Sequence, residues 1–91
     1  MIGGKKGIRV DVRPTLEYAA GHIPKSINIP LGELQARLNE VPSGEVVIHC
    51  QGGSRSVIAA SILQREGVTG VINMDGGFAE WERNGLPVER G

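Results

Sequence analysis

An internal disulfide is excluded from the outset, because Cys50 is the one cysteine among 91 residues. A chain of this length must stand on a single modest core, without covalent staples. A free thiol fits a reducing compartment, so the cytoplasm is the expected location. Charge of one sign is lacking too: ten basic residues balance ten acidic ones, with no basic block. That argues against nucleic acid or an anionic membrane as partner. No apolar run approaches membrane-spanning length, and no charged-then-apolar leader resembles a secretory signal. Neither His22 nor His49 falls into a metal-ligand spacing, so no metal or other cofactor is expected.

What is present reads as alternating strands and helices. Residues 1–7 carry three glycines and two lysines and read as a flexible lead-in or linker stump before a domain spanning 8–91. Ile8, Val10 and Val12 alternate with Arg9, Asp11 and Arg13, a strand pattern. Pro14 opens a short helix over 15–20, with Gly21 placed to close it. Residues 22–29 are extended and fenced by prolines, and Pro30 opens a helix with Leu31, Leu34 and Leu38 on one face. Pro42-Ser43-Gly44 breaks it. Val46-Val47-Ile48 is apolar on both faces, as a central parallel strand would be. Residues 56–66 read as a helix, apolar almost all round and therefore well buried, closed by Gly67. A strand follows over 68–74, then a turn at 75–77 and a last helix over 78–83, whose Phe78 and Trp81 read as core aromatics. Such alternation implies a mostly parallel sheet with helices on both faces, and ligands in such sheets bind beyond the carboxyl ends of the strands.

Cys50 sits at that position, followed by Gln51, Gly52, Gly53, Ser54, Arg55 and Ser56. Glycines permit a curled loop, and the next helix offers unpaired N–H groups and the positive end of its dipole. Amides converging on the sulfur favour the thiolate, so Cys50 is expected to be a nucleophile. An inert core cysteine would have no need of this loop.

Together, four segments resemble the rhodanese (sulfurtransferase) family: Asp11-Val12-Arg13, the run from Gly21 to Pro30, the loop from Cys50 to Ser56, and Gly76-Gly77-Phe78-Ala79-Glu80-Trp81 followed by Gly85-Leu86-Pro87-Val88. The resemblance implies a three-layer α/β/α domain around a small, mostly parallel sheet of about four to five strands. It also implies that Cys50 accepts sulfane sulfur as a persulfide, from thiosulfate or a small persulfide, and passes it to cyanide or a thiol, including a protein thiol. Relatives usually have a further strand or helix before the Asp-x-Arg strand. This implies a trimmed module of a larger protein, whose uncovered edge strand would promote pairing between copies. Gln51 stands where relatives active on thiosulfate often carry a basic residue, and Glu17 where some carry a second arginine.

The neighbouring side chains take expected roles. Arg55 either neutralises an anionic donor or ties the loop to the fold. Ser54 and Ser56 either hydrogen-bond the sulfur or cap the helix, and Ser56 is read as the cap. Gln51 faces solvent, within reach of substrate. Asp11 and Arg13 share one side of a strand and read as a structural ion pair. His22 reads as a structural hydrogen-bonder, and His49 points away from its neighbour Cys50. Two other functions compete. One is a non-catalytic docking or regulatory module of the same fold. The other is a phosphatase or arsenate reductase of the Cys-x5-Arg kind; here four residues separate Cys50 from Arg55, a loop sized for a lone sulfur.

Overall fold

The computed structural model describes residues 7–42 and 44–91. The expected lead-in therefore lies, except for Gly7, outside the described residues, as does Ser43 of the Pro-Ser-Gly break. Strand β1 (Ile8–Asp11) leads to helix α1 (Thr15–Ala20) and the short strand β2 (Ile27–Asn28). Two 3-10 segments, Leu31–Glu33 and Gln35–Glu40, precede β3 (Val46–His49), α2 (Ser54–Arg65), β4 (Val71–Asn73) and α3 (Gly77–Arg83). The strands form one parallel sheet in the order β2-β1-β3-β4. β3 is thus a central strand, and the loop bearing Cys50 leaves its carboxyl end.

Alternation along β1 sorts the two faces. Val10 and Val12 join Ile48, Leu34, and Ala59 and Leu63 of α2 in one apolar core. The intervening residues point to the opposite face, where α3 covers them. The Arg9 guanidinium lies 5.2 Å from the centre of the Trp81 ring, and that of Arg13 lies 4.4 Å from Phe78. Helices thus cover both faces, giving three layers. One layer boundary is apolar, and the other is cationic and aromatic.

Four local expectations are corrected. The leucine-rich stretch after Pro30 is 3-10 rather than α, interrupted at Arg37 (φ −119°, ψ 29°). A three-residue repeat also aligns Leu31 with Leu34, so the spacing cannot separate the two helix types. α2 begins at Ser54, two residues early, because Gly53 adopts φ 114° and serves as its N-cap. α2 is not buried all round: Val57 and Ile58 are 54% and 53% exposed, because only the side toward the sheet is covered. β4 is shorter than the apolar run suggests, because the chain is still turning at Gly67 and Gly70 (φ 88° and 77°).

Candidate functional site

The site is built where β3 runs into α2. Cys50 is fully buried, yet its sulfur is met by donors rather than hydrocarbon alone. The backbone N–H of Gly53 donates to Sγ at 3.1 Å and that of Ser56 at 3.3 Å, with the Ser56 hydroxyl 3.6 Å away. Burial pushes the thiol pKa up, but the Ser56 hydroxyl and the amides of Ser56, Gly53 and Arg55 outweigh it, so the net direction is down from the ordinary 9.0. The thiolate share at neutral pH rises accordingly. In the loop that follows Cys50, the residues Gln51, Gly52 and Ser54 are exposed. A side chain added at Gly52 would meet nothing within 4 Å, so that side of the loop is open.

Ser56 is a correction. It stands inside the first turn of α2 rather than at its cap, and it is fully buried. Its Oγ bonds the Gly53 carbonyl at 3.1 Å while facing the sulfur. Ser56→Ala is expected to raise the thiol pKa, moving the midpoint of iodoacetamide alkylation to higher pH. An unmoved midpoint would leave the amides as the sole source of the shift.

The loop keeps its amides inward because α3 holds its carbonyls outward. The N–H of Phe78 donates to the Cys50 carbonyl at 2.8 Å, and that of Ala79 to Gln51 at 3.0 Å. The approach requires glycine at position 77. There φ is 55°, and a Cβ would fall inside contact distance of the Cys50 carbonyl oxygen and 2.8 Å from that of Gln51.

Beneath the loop, Asp11 and Arg13 form the expected ion pair, both buried. The Asp11 carboxylate accepts from the Arg13 backbone N–H at 2.9 Å, from Nε at 3.0 Å and from Nη2 at 2.8 Å. Arg13 also donates to the Gly21 carbonyl at 2.8 Å and to Gln51 Oε1 at 3.1 Å, so the pair reaches the sulfur loop itself. Gly21, at φ 165°, is ordinary extended backbone. His49, opposite Asp11 in the register, is buried with Nε2 3.2 Å from Asp11 Oδ2. Burial pushes the Asp11 carboxyl up, but His49 and Arg13 outweigh it and hold the pKa at about 2. His22 is structural in its contacts: its ring stacks on Tyr18 with centroids 3.7 Å apart, and Nδ1 lies 2.8 Å from the Tyr18 carbonyl.

Arg55 turns out to be tied down. Its guanidinium meets the Glu17 carboxylate at 3.2 and 3.3 Å, joining the first turn of α2 to α1. Ser54 is exposed at the helix start and makes no side-chain bond to the sulfur among the described contacts. A cavity of about 250 Å³ opens beside Gln51, walled by Arg13, Glu17, Phe78, Glu82 and Arg90 among others. The sequence gives no sign of Glu82 or Arg90 here. Glu82 comes from α3, and Arg90 arrives because the tail is pinned to the end of α1, His22 and Glu89 exchanging backbone hydrogen bonds at 2.8 and 2.9 Å. A larger cavity of about 520 Å³ lies at the other end of the sheet, near Glu45, Gln64 and Gly70, with no nucleophile in its wall. The smaller one touches the sulfur loop at Gln51, and Cys50 is not in its wall. Among the described residues no group of side chains could hold a metal ion, and no helix is long and apolar enough to cross a membrane.

The model of the rhodanese-like domain matches residues 1–84. The chain is 39% identical over 80 residues to a sulfurtransferase of Allochromatium vinosum, covering 87% of this chain and 75% of that one. It is 42% identical over 84 residues to the HTH-type transcriptional regulator Rv0324 of Mycobacterium tuberculosis, covering 90% of this chain but 37% of the regulator. Among solved structures, a rhodanese-related protein from Thermoplasma volcanium superposes with a TM-score of 0.85 at 30% identity, covering 92% of this chain and 84% of that one.

Proposed function

The chain belongs to the rhodanese-like domain family, and from that premise we propose that it is a sulfurtransferase whose Cys50 carries sulfane sulfur as a persulfide. The observation that supports this reading is the ring of two amides and one hydroxyl around Sγ. In the first step the Cys50 thiolate attacks the outer sulfur of a small persulfide R–S–SH. The S–S bond of the donor breaks, the thiolate R–S⁻ leaves, and Cys50–S–SH remains. With thiosulfate the leaving group is sulfite. In the second step a thiol or cyanide attacks the terminal sulfur, and Cys50 returns as thiolate. N–H groups already aimed at the sulfur stabilise negative charge on it at both stages, and such donors are worth about 3 kcal/mol each where charge develops.

Mass measurement of the intact chain after incubation with thiosulfate, glutathione persulfide or mercaptopyruvate tests the proposal. A gain of one sulfur, removed by cyanide, is the expected result. No gain with any donor would favour a docking module, and hydrolysis of p-nitrophenyl phosphate dependent on Cys50 would favour a phosphatase.

A further inference from the structure

The cavity beside Gln51 has a charge pattern that points to a class of substrate. Its wall carries two arginines, Arg13 and Arg90, and two glutamates, Glu17 and Glu82, a balance of zero. Two of the four are already spent. Arg13 is bound to Asp11, the Gly21 carbonyl and Gln51. Glu17 is bound to Arg55, which leaves that guanidinium with a partner before any anion arrives. Glu82 and Arg90 line the same cavity, yet among the described residues neither makes a side-chain ion pair, with each other or elsewhere. One unspent cation and one unspent anion facing a common space make a dipolar site. A dianion such as thiosulfate would find a neutral wall with one open arginine. A zwitterion would find a counter-charge for each end. A volume of about 250 Å³, below the range of about 300–1,000 Å³ typical of drug-sized ligands, suits a molecule of amino-acid size.

We propose that this cavity binds a zwitterionic persulfide or thiol of α-amino-acid type, with its carboxylate on Arg90, its ammonium on Glu82 and its sulfur directed past Gln51 to Cys50. The proposal rests on Cys50 being the sulfur carrier, and it names the compound that brings or takes the sulfur. The tail makes the site well placed for this: Gly91 N–H donates to the Ala19 carbonyl at 2.8 Å, so Arg90 is held by bonds on both sides. Transfer from cysteine persulfide balances as above, with free cysteine thiolate as the leaving group.

Two measurements on the full chain test it, one with sulfur transfer and one without. In the first, rates of persulfide formation on Cys50 are compared for cysteine persulfide, for its analogue lacking the ammonium (3-mercaptopropionate persulfide) and for its analogue lacking the carboxylate (cysteamine persulfide). Glu82→Gln and Arg90→Gln are each expected to lower kcat/KM for cysteine persulfide about tenfold through KM, the scale of one charged hydrogen bond. Glu82→Gln should leave the analogue without the ammonium unaffected, and Arg90→Gln the one without the carboxylate. Equal rates for all three donors in the unaltered chain would overturn the proposal. In the second, S-methylcysteine, which cannot transfer sulfane sulfur, is titrated while the amide resonances of Gln51, Phe78 and Arg90 are followed. Saturable shifts abolished by either substitution support the site even if no donor loads Cys50, in which case the sulfur-carrier reading alone falls. Absence of shifts in a chain that does load Cys50 overturns the site and leaves that reading standing.

Discussion

Cys50→Ser is expected to abolish sulfur loading and to cut transfer to background, a fall of at least about a thousandfold for loss of a nucleophile. The serine oxygen can accept the same amide hydrogens, from Gly53 and Ser56, that now reach Sγ. It cannot, however, ionise near neutral pH or form a persulfide. Because the chain has no other cysteine, no second thiol can rescue the reaction, and the iodoacetamide adduct should vanish with it. The fold should survive: an isosteric change that keeps its hydrogen bonds costs about 1–2 kcal/mol at most. Circular dichroism and thermal melting separate the two effects. Sulfur loading retained by the serine variant would remove Cys50 from the mechanism.

Asp11→Ala is expected to have the largest effect on stability. It would strand the Arg13 guanidinium, which is 3% exposed, together with the buried His49 ring. Breaking one side of a buried pair costs about 3–5 kcal/mol, because the remaining charge stays out of water without its partner. That is a large share of the about 5–15 kcal/mol that holds a domain of this kind together, and Tm should fall by at least about 12 °C. The sign of the pH dependence follows from the carboxyl being held below its ordinary value. Its folded pKa is about 2 against an ordinary 3.8, so the charged form is favoured by folding. The stabilisation, about 2 kcal/mol on this ground, is complete above pH 3.8 and is lost as pH falls through about 2. Denaturant midpoints for the unaltered chain and Asp11→Asn should therefore converge as pH is lowered toward 2. A gap that stays constant across that range would show that the charge is not what stabilises the fold.

How much of this was legible in the sequence depends on the range of the contact. The sulfur loop was readable because its parts are consecutive: an apolar strand, one cysteine, two glycines and the start of a helix. Asp11 and Arg13 were readable as a pair because residues two apart on a strand share a face. Arg55 was not settled, since its partner Glu17 lies 38 residues away and nothing local ties the two together. A serine near a helix start fits a cap equally well, and only the φ of Gly53 moves the start to Ser54 and sets Ser56 inside the first turn. Glu82 and Arg90 gave no signal at all, because their convergence depends on where the tail crosses the end of α1. The fold class was written in alternation, which is local; the walls of the cavity were written in tertiary packing, which is not.

The crowding around the sulfur also sets the order of events. The Gly53 and Ser56 amides and the Ser56 hydroxyl close on a sulfur that is already fully buried, so two reactants have no room to reach it side by side. On the proposed sulfur-carrier reading, whatever delivers the atom departs before whatever collects it enters. The doorway works as a turnstile, and reciprocal plots at several acceptor concentrations should run parallel.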